Sequence, residues 1–339
     1  MAARNLFLGI KAFQAIAVVG TIVDSTVDSV SWDSAYTDAS VLINRDTSIQ
    51  IAFTDDAGAA VSTASGEVLE VRWDDFISTT SSNIPSLLVF QNASDQSLFR
   101  FTYTASGTLY SLQYNSGTLA SPVWTNVTGS PTYSTAAFYV RATHNLKLHI
   151  NGGGVGNHTV EYYRDGTLVA SGSFTMALLT VVSRVTFGGA LGNVARRISE
   201  VFVATDKNLI GSRVPSIKAS GAGASSGMTG VFTNVNKIIG SDATAVSSAT
   251  ATQRTTFAMS NLPALPIGTI IDGGSRHSFR ARASAVAPSN LRSVIRQAGV
   301  DTLTGNIAGI AVGYLPFAIG YTMTEAQIDA VELGWESAT

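Results

Sequence analysis

Between Ala137 and Ala204 the chain consists of short alternating runs joined by a tight turn, a pattern that fits antiparallel sheet and little else. Leu146, Leu148 and Ile150 share one parity, and Lys147, His149 and Asn151 share the other. Side chains on a strand alternate faces with period two, so this run is a half-buried strand. Thr159 to Arg164 and Thr167 to Ser171 flank Asp165-Gly166, a pair that tolerates the positive φ values of a two-residue type I′ turn. Those residues form a hairpin. Val181 to Phe187 and Ile198 to Ala204 add two more strands, the last apolar on both faces and therefore central.

The same grammar fills the first 136 residues. Strands are expected at Ser40 to Asn44, Thr47 to Phe53, Gly66 to Trp73, Ser86 to Gln91, Leu98 to Tyr103 and Thr108 to Tyr114, separated by polar turns such as Asn92-Ala93-Ser94-Asp95. At the N-terminus Arg4 precedes an apolar run from Leu6 to Val19, as in a signal peptide. Lys11 interrupts that run, and a structural arm or first strand is the expectation. No stretch reaches the roughly 18 consecutive apolar residues of a membrane-spanning helix, so membrane insertion is not expected.

Beyond Ala204, Ser216 to Gly227 is rich in Gly, Ala and Ser without apolar periodicity, and it reads as a linker or extended crossing segment. Strands resume at Gln253 to Met259, Ser275 to Ala283 and Leu291 to Gln297. Thr324-Glu325-Ala326-Gln327 is a capping-box pattern that predicts a short helix from about Glu325 to Leu333. A chain of 339 residues exceeds the usual size of one core. The division expected is a β-sandwich with its N-terminal arm over 1–210, and a Gly/Ser-rich segment with a smaller β domain and terminal helix over 211–339.

The run Thr159 to Ala170, followed by Val185-Thr186-Phe187-Gly188 and Ile198 to Ala204, resembles the second half of a laminin-G or concanavalin A-like jelly roll. The version it resembles most is that of tailed-phage virion proteins, and the continuation through Gly227 to Asn236 and Ser247 to Phe257 matches them in style. The resemblance implies an all-β fold, a concanavalin A-like antiparallel sandwich plus a smaller sandwich-like C-terminal domain. It also implies a non-enzymatic virion role as fibre, spike, collar or decoration, made in the host cytoplasm and acting through contacts with other virion proteins and with copies of itself in a symmetric oligomer. The alternative it carries is a receptor-recognition module that binds host glycan.

Composition agrees with an assembled particle. Charged residues make up 13% of the chain against about 25% in an average soluble protein, which leaves little repulsion between copies. There is no cysteine, hence no disulfide framework and no thiolate chemistry. Residues 206–339 carry ten Lys/Arg against eight Asp/Glu, and residues 1–205 eleven against fifteen, a balance too mild for nucleic-acid binding.

Glycoside hydrolysis needs two carboxylates facing each other across a sugar. Glu67 and Glu70 differ in parity, Asp74 and Asp75 are adjacent, and Glu200 stands among Val and Phe, so no catalytic residue is assigned. An independent glycosidase using Glu70 or Glu200 ranks third. The histidines lack zinc spacing, the acidic pairs at Asp55-Asp56 and Asp74-Asp75 lack a calcium loop, and Gly152 to Gly156 lacks the Lys-Ser/Thr of a phosphate loop. No metal or cofactor is expected. Trp124, set among Pro and polar residues, is the first candidate for a sugar platform, with Tyr162 and Tyr163 next. Arg276, Arg280 and Arg282 share one strand face, and Arg292 and Arg296 share a face of the next strand. They are candidates for docking an acidic neighbouring subunit.

Overall fold

A computed structural model of the protein describes residues 4–8, 17–19, 21–24, 39–43, 48–55, 59–64, 66–77, 84–104, 109–128, 141–149, 157–176, 181–188, 196–213, 215, 217–235, 245–264, 274–283, 288–307, 310 and 315–339. It divides into two units, Met1–Val214 and Pro215–Thr339.

Among the described residues the first unit is a sandwich of fifteen strands. In chain order they are β1 (Arg4–Leu8), β2 (Ala17–Val19), β3 (Thr21–Asp24), β4 (Ala39–Ile43), β5 (Ser48–Ala52), β6 (Val68–Ile77), β7 (Ile84–Gln91) and β8 (Ser97–Thr104). They continue with β9 (Leu109–Asn115), β10 (Trp124–Asn126), β11 (Ala142–His149), β12 (Asn157–Arg164), β13 (Thr167–Thr175), β14 (Arg184–Gly188) and β15 (Arg196–Thr205). One sheet has the order β13-β12-β11-β6-β15-β4-β3, with β1 paired to the far half of β15, and the other has the order β10-β9-β8-β7-β14-β5-β2. The chain passes between sheets at β1 to β2, β2 to β3, β4 to β5, β5 to β6, β6 to β7, β10 to β11, β13 to β14 and β14 to β15, in the manner of a jelly roll.

Parity decides what each sheet buries. Leu69, Val71 and Trp73 of β6, Leu146 and Leu148 of β11, and Ile198, Val201 and Val203 of β15 enter one core with Phe90, Phe99, Phe101, Leu112 and Phe187 of the facing sheet. Trp73 meets Phe101 and Phe187 edge-on at 6.3 and 5.7 Å, an arrangement favoured by the ring quadrupoles. Arg196 and Asp75 also point inward. Two guanidinium nitrogens of Arg196 bond the Asp75 carboxylate at 2.6 to 3.1 Å, and the third donates to the carbonyls of Leu87 and Gly188, so every charge in this buried pair is satisfied. The Asp165-Gly166 hairpin forms as expected, with φ of 49° and 78°. β15 is central, as its doubly apolar pattern required.

The second unit holds a five-stranded sheet, β16 (Ala219–Ser226), β17 (Arg254–Met259), β22 (Glu332–Ala338), β19 (Asn290–Gln297) and β20 (Val300–Leu303) in spatial order, and a pair, β18 (Gly274–Ala281) with β21 (Leu315–Thr322). Phe279, Ile307 and Ile319 pack with Leu291 and Trp335, and Ile295, Leu333 and Val331 pack with Ile328 of the helix.

Two expectations need correction here. The Gly/Ser-rich run is largely the edge strand β16, not a free linker. A Cβ on Gly223 would lie 2.5 Å from both Thr256 and Glu332, so small residues are what let this strand lie against its neighbours. The helix α1 spans only Glu325–Asp329. Its capping box is present as expected, but Glu332 already begins β22. The Gly152 to Gly156 loop lies outside the described residues. Among the described residues no helix is long and apolar enough to cross a membrane.

Candidate functional site

The two outer faces of the sandwich differ in chemistry. On β8, Phe99 and Phe101 enter the core, so Arg100 stands on the outer face, and on β9 Tyr110 and Leu112 leave Gln113 outward by the same alternation. Register then aligns Arg100 with Gln113 and Gln113 with Asn126 on β10. In the other direction it aligns Arg100 with Val89, Val89 with Thr186, and Thr186 with Gln50. Six strands thus contribute one residue each to a transverse row about 24 Å long, at about 4.8 Å per strand.

The row is wired. Arg100 Nε donates to Gln113 Oε1 at 2.7 Å, and Gln113 Nε2 donates to Asn126 Oδ1 at 2.9 Å. The Arg100 guanidinium lies over the Trp124 indole at 4.1 Å from the ring centroid, a cation–π contact. Burial lowers the pKa of Arg100 and no carboxylate opposes the shift. At the far end Gln50 and Arg184 both bond Asp95, a turn residue held at φ 61°.

Trp124 is set by the loop before it. The buried amide of Asn115 donates to the carbonyls of Ser97 and Thr118 and accepts from the amides of Gly117 and Val123, closing residues 116–123 into a fixed turn. A Cβ at Gly117 would lie 2.6 Å from the Ser121 carbonyl oxygen, so only glycine fits there.

The outer face of the eight-stranded sheet is richer in charge but self-compensated. Glu70, Arg72 and Asp74 of β6 face Lys147, Asn145 and Thr143 of β11. Arg72 pairs with Asp74 at 2.8 Å and with Glu200 at 3.2 Å, Arg213 pairs with Glu200 at 2.6 Å, and Lys147 reaches Glu70 at 3.7 Å. Glu200 therefore does not stand alone. It sits in a bulge of β15, at φ 49°, that turns it onto the face of Arg72. Burial raises the pKa of Glu70 and Asp74, against the pull of Lys147 and Arg72 respectively.

The sandwich residues singled out from sequence separate accordingly. Trp124 is half-buried on the seven-stranded sheet. Tyr163 lies across the core on the other face, where its hydroxyl donates to Glu161 at 2.7 Å and its pKa is pushed up to about 12. Tyr162 is fully buried in the core with its hydroxyl 2.7 Å from His144 Nδ1, so it presents no surface to a glycan. That reading is corrected by parity, since neighbouring residues on a strand face opposite ways.

In the second unit, Arg276 and Arg280 are on β18 and Arg282 follows its end, whereas Arg292 and Arg296 are on β19 of the other sheet. Arg292 pairs with Glu336 at 3.3 Å and Arg296 with Asp301 at 2.8 Å, and Arg254 pairs with both carboxylates. Among the described residues no group of three or more His, Asp or Glu is placed to hold a metal ion.

Arg100, Gln113 and Asn126 were not found from sequence. Their one signal is an even spacing of thirteen residues through two consecutive strand pairings.

No family model and no curated protein matches the chain. Among solved structures, the binding domain of botulinum neurotoxin DC in complex with SialylT aligns over 99% of this chain and 99% of that one, at 9% identity and a TM-score of 0.40. The same domain in complex with rat synaptotagmin II aligns over 98% of each chain, at 9% identity and a TM-score of 0.40. Alginate lyase Aly36B aligns over 62% of this chain and 98% of its own, at 11% identity and a TM-score of 0.35. None of these alignments assigns a role to a residue of this chain.

Proposed function

We propose that the protein is a non-enzymatic carbohydrate-binding component of a tailed-phage particle, with the sandwich as the recognition unit. The observation that carries the binding part is the Trp124–Arg100 stack set beside the amide side chains of Gln113 and Asn126. An aromatic ring offers an apolar platform to the C–H face of a sugar, and Gln113, Asn126 and Arg100 supply donors and acceptors for its hydroxyls. The loop closed by Asn115 holds the platform in place before any ligand arrives, which limits the entropy lost on binding. A binding rather than hydrolytic role is favoured because Asp74 and Glu200, on the opposite face, are both engaged by Arg72.

The particle setting rests on the sequence resemblance and on the low charge of the chain, both of which suit copies packed in a symmetric assembly. The C-terminal unit with its arginine strands would serve subunit contacts. Trp124→Ala is expected to abolish retention of glycans that the native protein binds on an array, with the melting temperature held within a few degrees. Equal loss of thermal stability would assign Trp124 to packing instead. Mass spectrometry of density-purified particles, scaled to the major capsid protein, tests the virion role, and absence from particles would overturn it.

A further inference from the structure

Among the described residues, Arg100 differs from the other arginines of the sandwich that pair with carboxylates. Arg72, Arg141, Arg164, Arg184, Arg196 and Arg213 each lie within 4.0 Å of a carboxylate oxygen. Arg100 does not. Among the described residues its partners are the Gln113 amide oxygen, taken by Nε, and the Trp124 ring, so both terminal nitrogens of the fork are uncommitted. A half-buried guanidinium has lost part of its hydration, and the contrast with the six paired arginines makes this uncommitted fork specific rather than a general excess of arginine. Its planar fork matches the two oxygens of a carboxylate, or two of a sulfate ester. On the Trp124 side of the row, Gln113 and Asn126 add amide groups and no carboxylate.

Resting on the carbohydrate reading above, we propose that the site is selective for anionic glycans, with Arg100 bonding the acidic group of a sugar whose ring lies along the Trp124 side of the row.

The test is an array of matched neutral, uronate-bearing, sialate-bearing and sulfate-bearing glycans, read with the native protein, Arg100→Gln, Arg100→Lys and Trp124→Ala at two salt concentrations. The native protein is expected to retain anionic members at least tenfold better than their neutral counterparts. Arg100→Gln should remove about 10- to 100-fold of that affinity while leaving weak neutral binding, and Arg100→Lys should keep the salt sensitivity but lose part of the affinity. Near-UV circular dichroism confirms the fold of each variant. Retention of carboxylated members alone, or of sulfated members alone, identifies the group read. Equal retention of neutral and anionic glycans by the native protein, or an anionic preference that survives Arg100→Gln, overturns the selectivity while carbohydrate binding stands. Retention of no glycan at all overturns both.

Discussion

Lowering the pH from 7 to 4.5 should cost the sandwich about 2 kcal/mol through His144 alone. His144 is buried between Trp73, whose ring is stacked on it at 5.0 Å and 11°, and Tyr162, whose hydroxyl bonds its Nδ1 at 2.7 Å. Burial lowers its pKa from 6.5 to about 4, and the opposing charges around it, Asp75 and Asp165 against Arg164 and Arg196, do not reverse the shift. A depressed pKa means that the neutral ring stabilises the fold fully above 6.5, and that this contribution is lost as the pH falls toward 4. The full shift is worth about 3 kcal/mol, most of it already lost at pH 4.5. Glu70 and Asp74, whose pKa values are raised, change stability in the opposite sense, since their folded-state contribution is greatest at low pH and declines as the pH rises. The assay is therefore a difference of differences. Urea unfolding of the native protein and of His144→Gln is followed at both pH values, and each protein's own change is taken. The carboxylates titrate in both proteins and cancel. The native change should exceed that of His144→Gln by about 2 kcal/mol, whatever the variant loses at pH 7. Equal changes would refute the reasoning, because they would place the acid sensitivity elsewhere.

Two further substitutions test the packing. Arg196→Met leaves the Asp75 carboxylate buried with only the Trp73 indole N–H at 3.2 Å, and should cost about 3–5 kcal/mol at neutral pH. Urea unfolding of both proteins at neutral pH would measure the loss. Gly334→Ala puts a Cβ 1.9 Å from the Thr255 carbonyl oxygen, which only a backbone shift can relieve. It should lower the melting of the C-terminal unit by at least 1–3 kcal/mol and leave the sandwich transition unchanged in calorimetry.

The strands of the sandwich were legible because their signal is local. Alternation of apolar and polar residues located β6, β8, β9, β11 and β12 to within a few residues, and Asp165-Gly166 located a turn whose φ values it alone accommodates. β16 was not legible, since a strand of Ala, Ser and Gly has no amphipathic contrast to read, and its place is set by what Thr256 and Glu332 leave room for. The helix was read too long because the capping box marks a start and not an end. Of the candidate site, Trp124 could be named from its neighbours in sequence, but Arg100 could not be joined to it. Arg100 meets Gln113 and Asn126 through pairing register, a property of three strands together. The charged partners of Glu200 were not legible for a related reason, as the bulge that turns it toward Arg72 breaks the period of a regular strand.

The transverse row has an evolutionary consequence. Its six residues occupy positions whose strand neighbours, such as Phe99 and Phe101 beside Arg100, or Ile49 and Ile51 beside Gln50, build the hydrophobic core. On the carbohydrate reading proposed above, the residues that choose a ligand and those that hold the fold are interleaved in sequence yet separated in space by the thickness of a sheet. Mutation can rewrite the outward series one strand at a time while selection for folding acts on the inward series, so a lineage can change what it binds without rebuilding what it is.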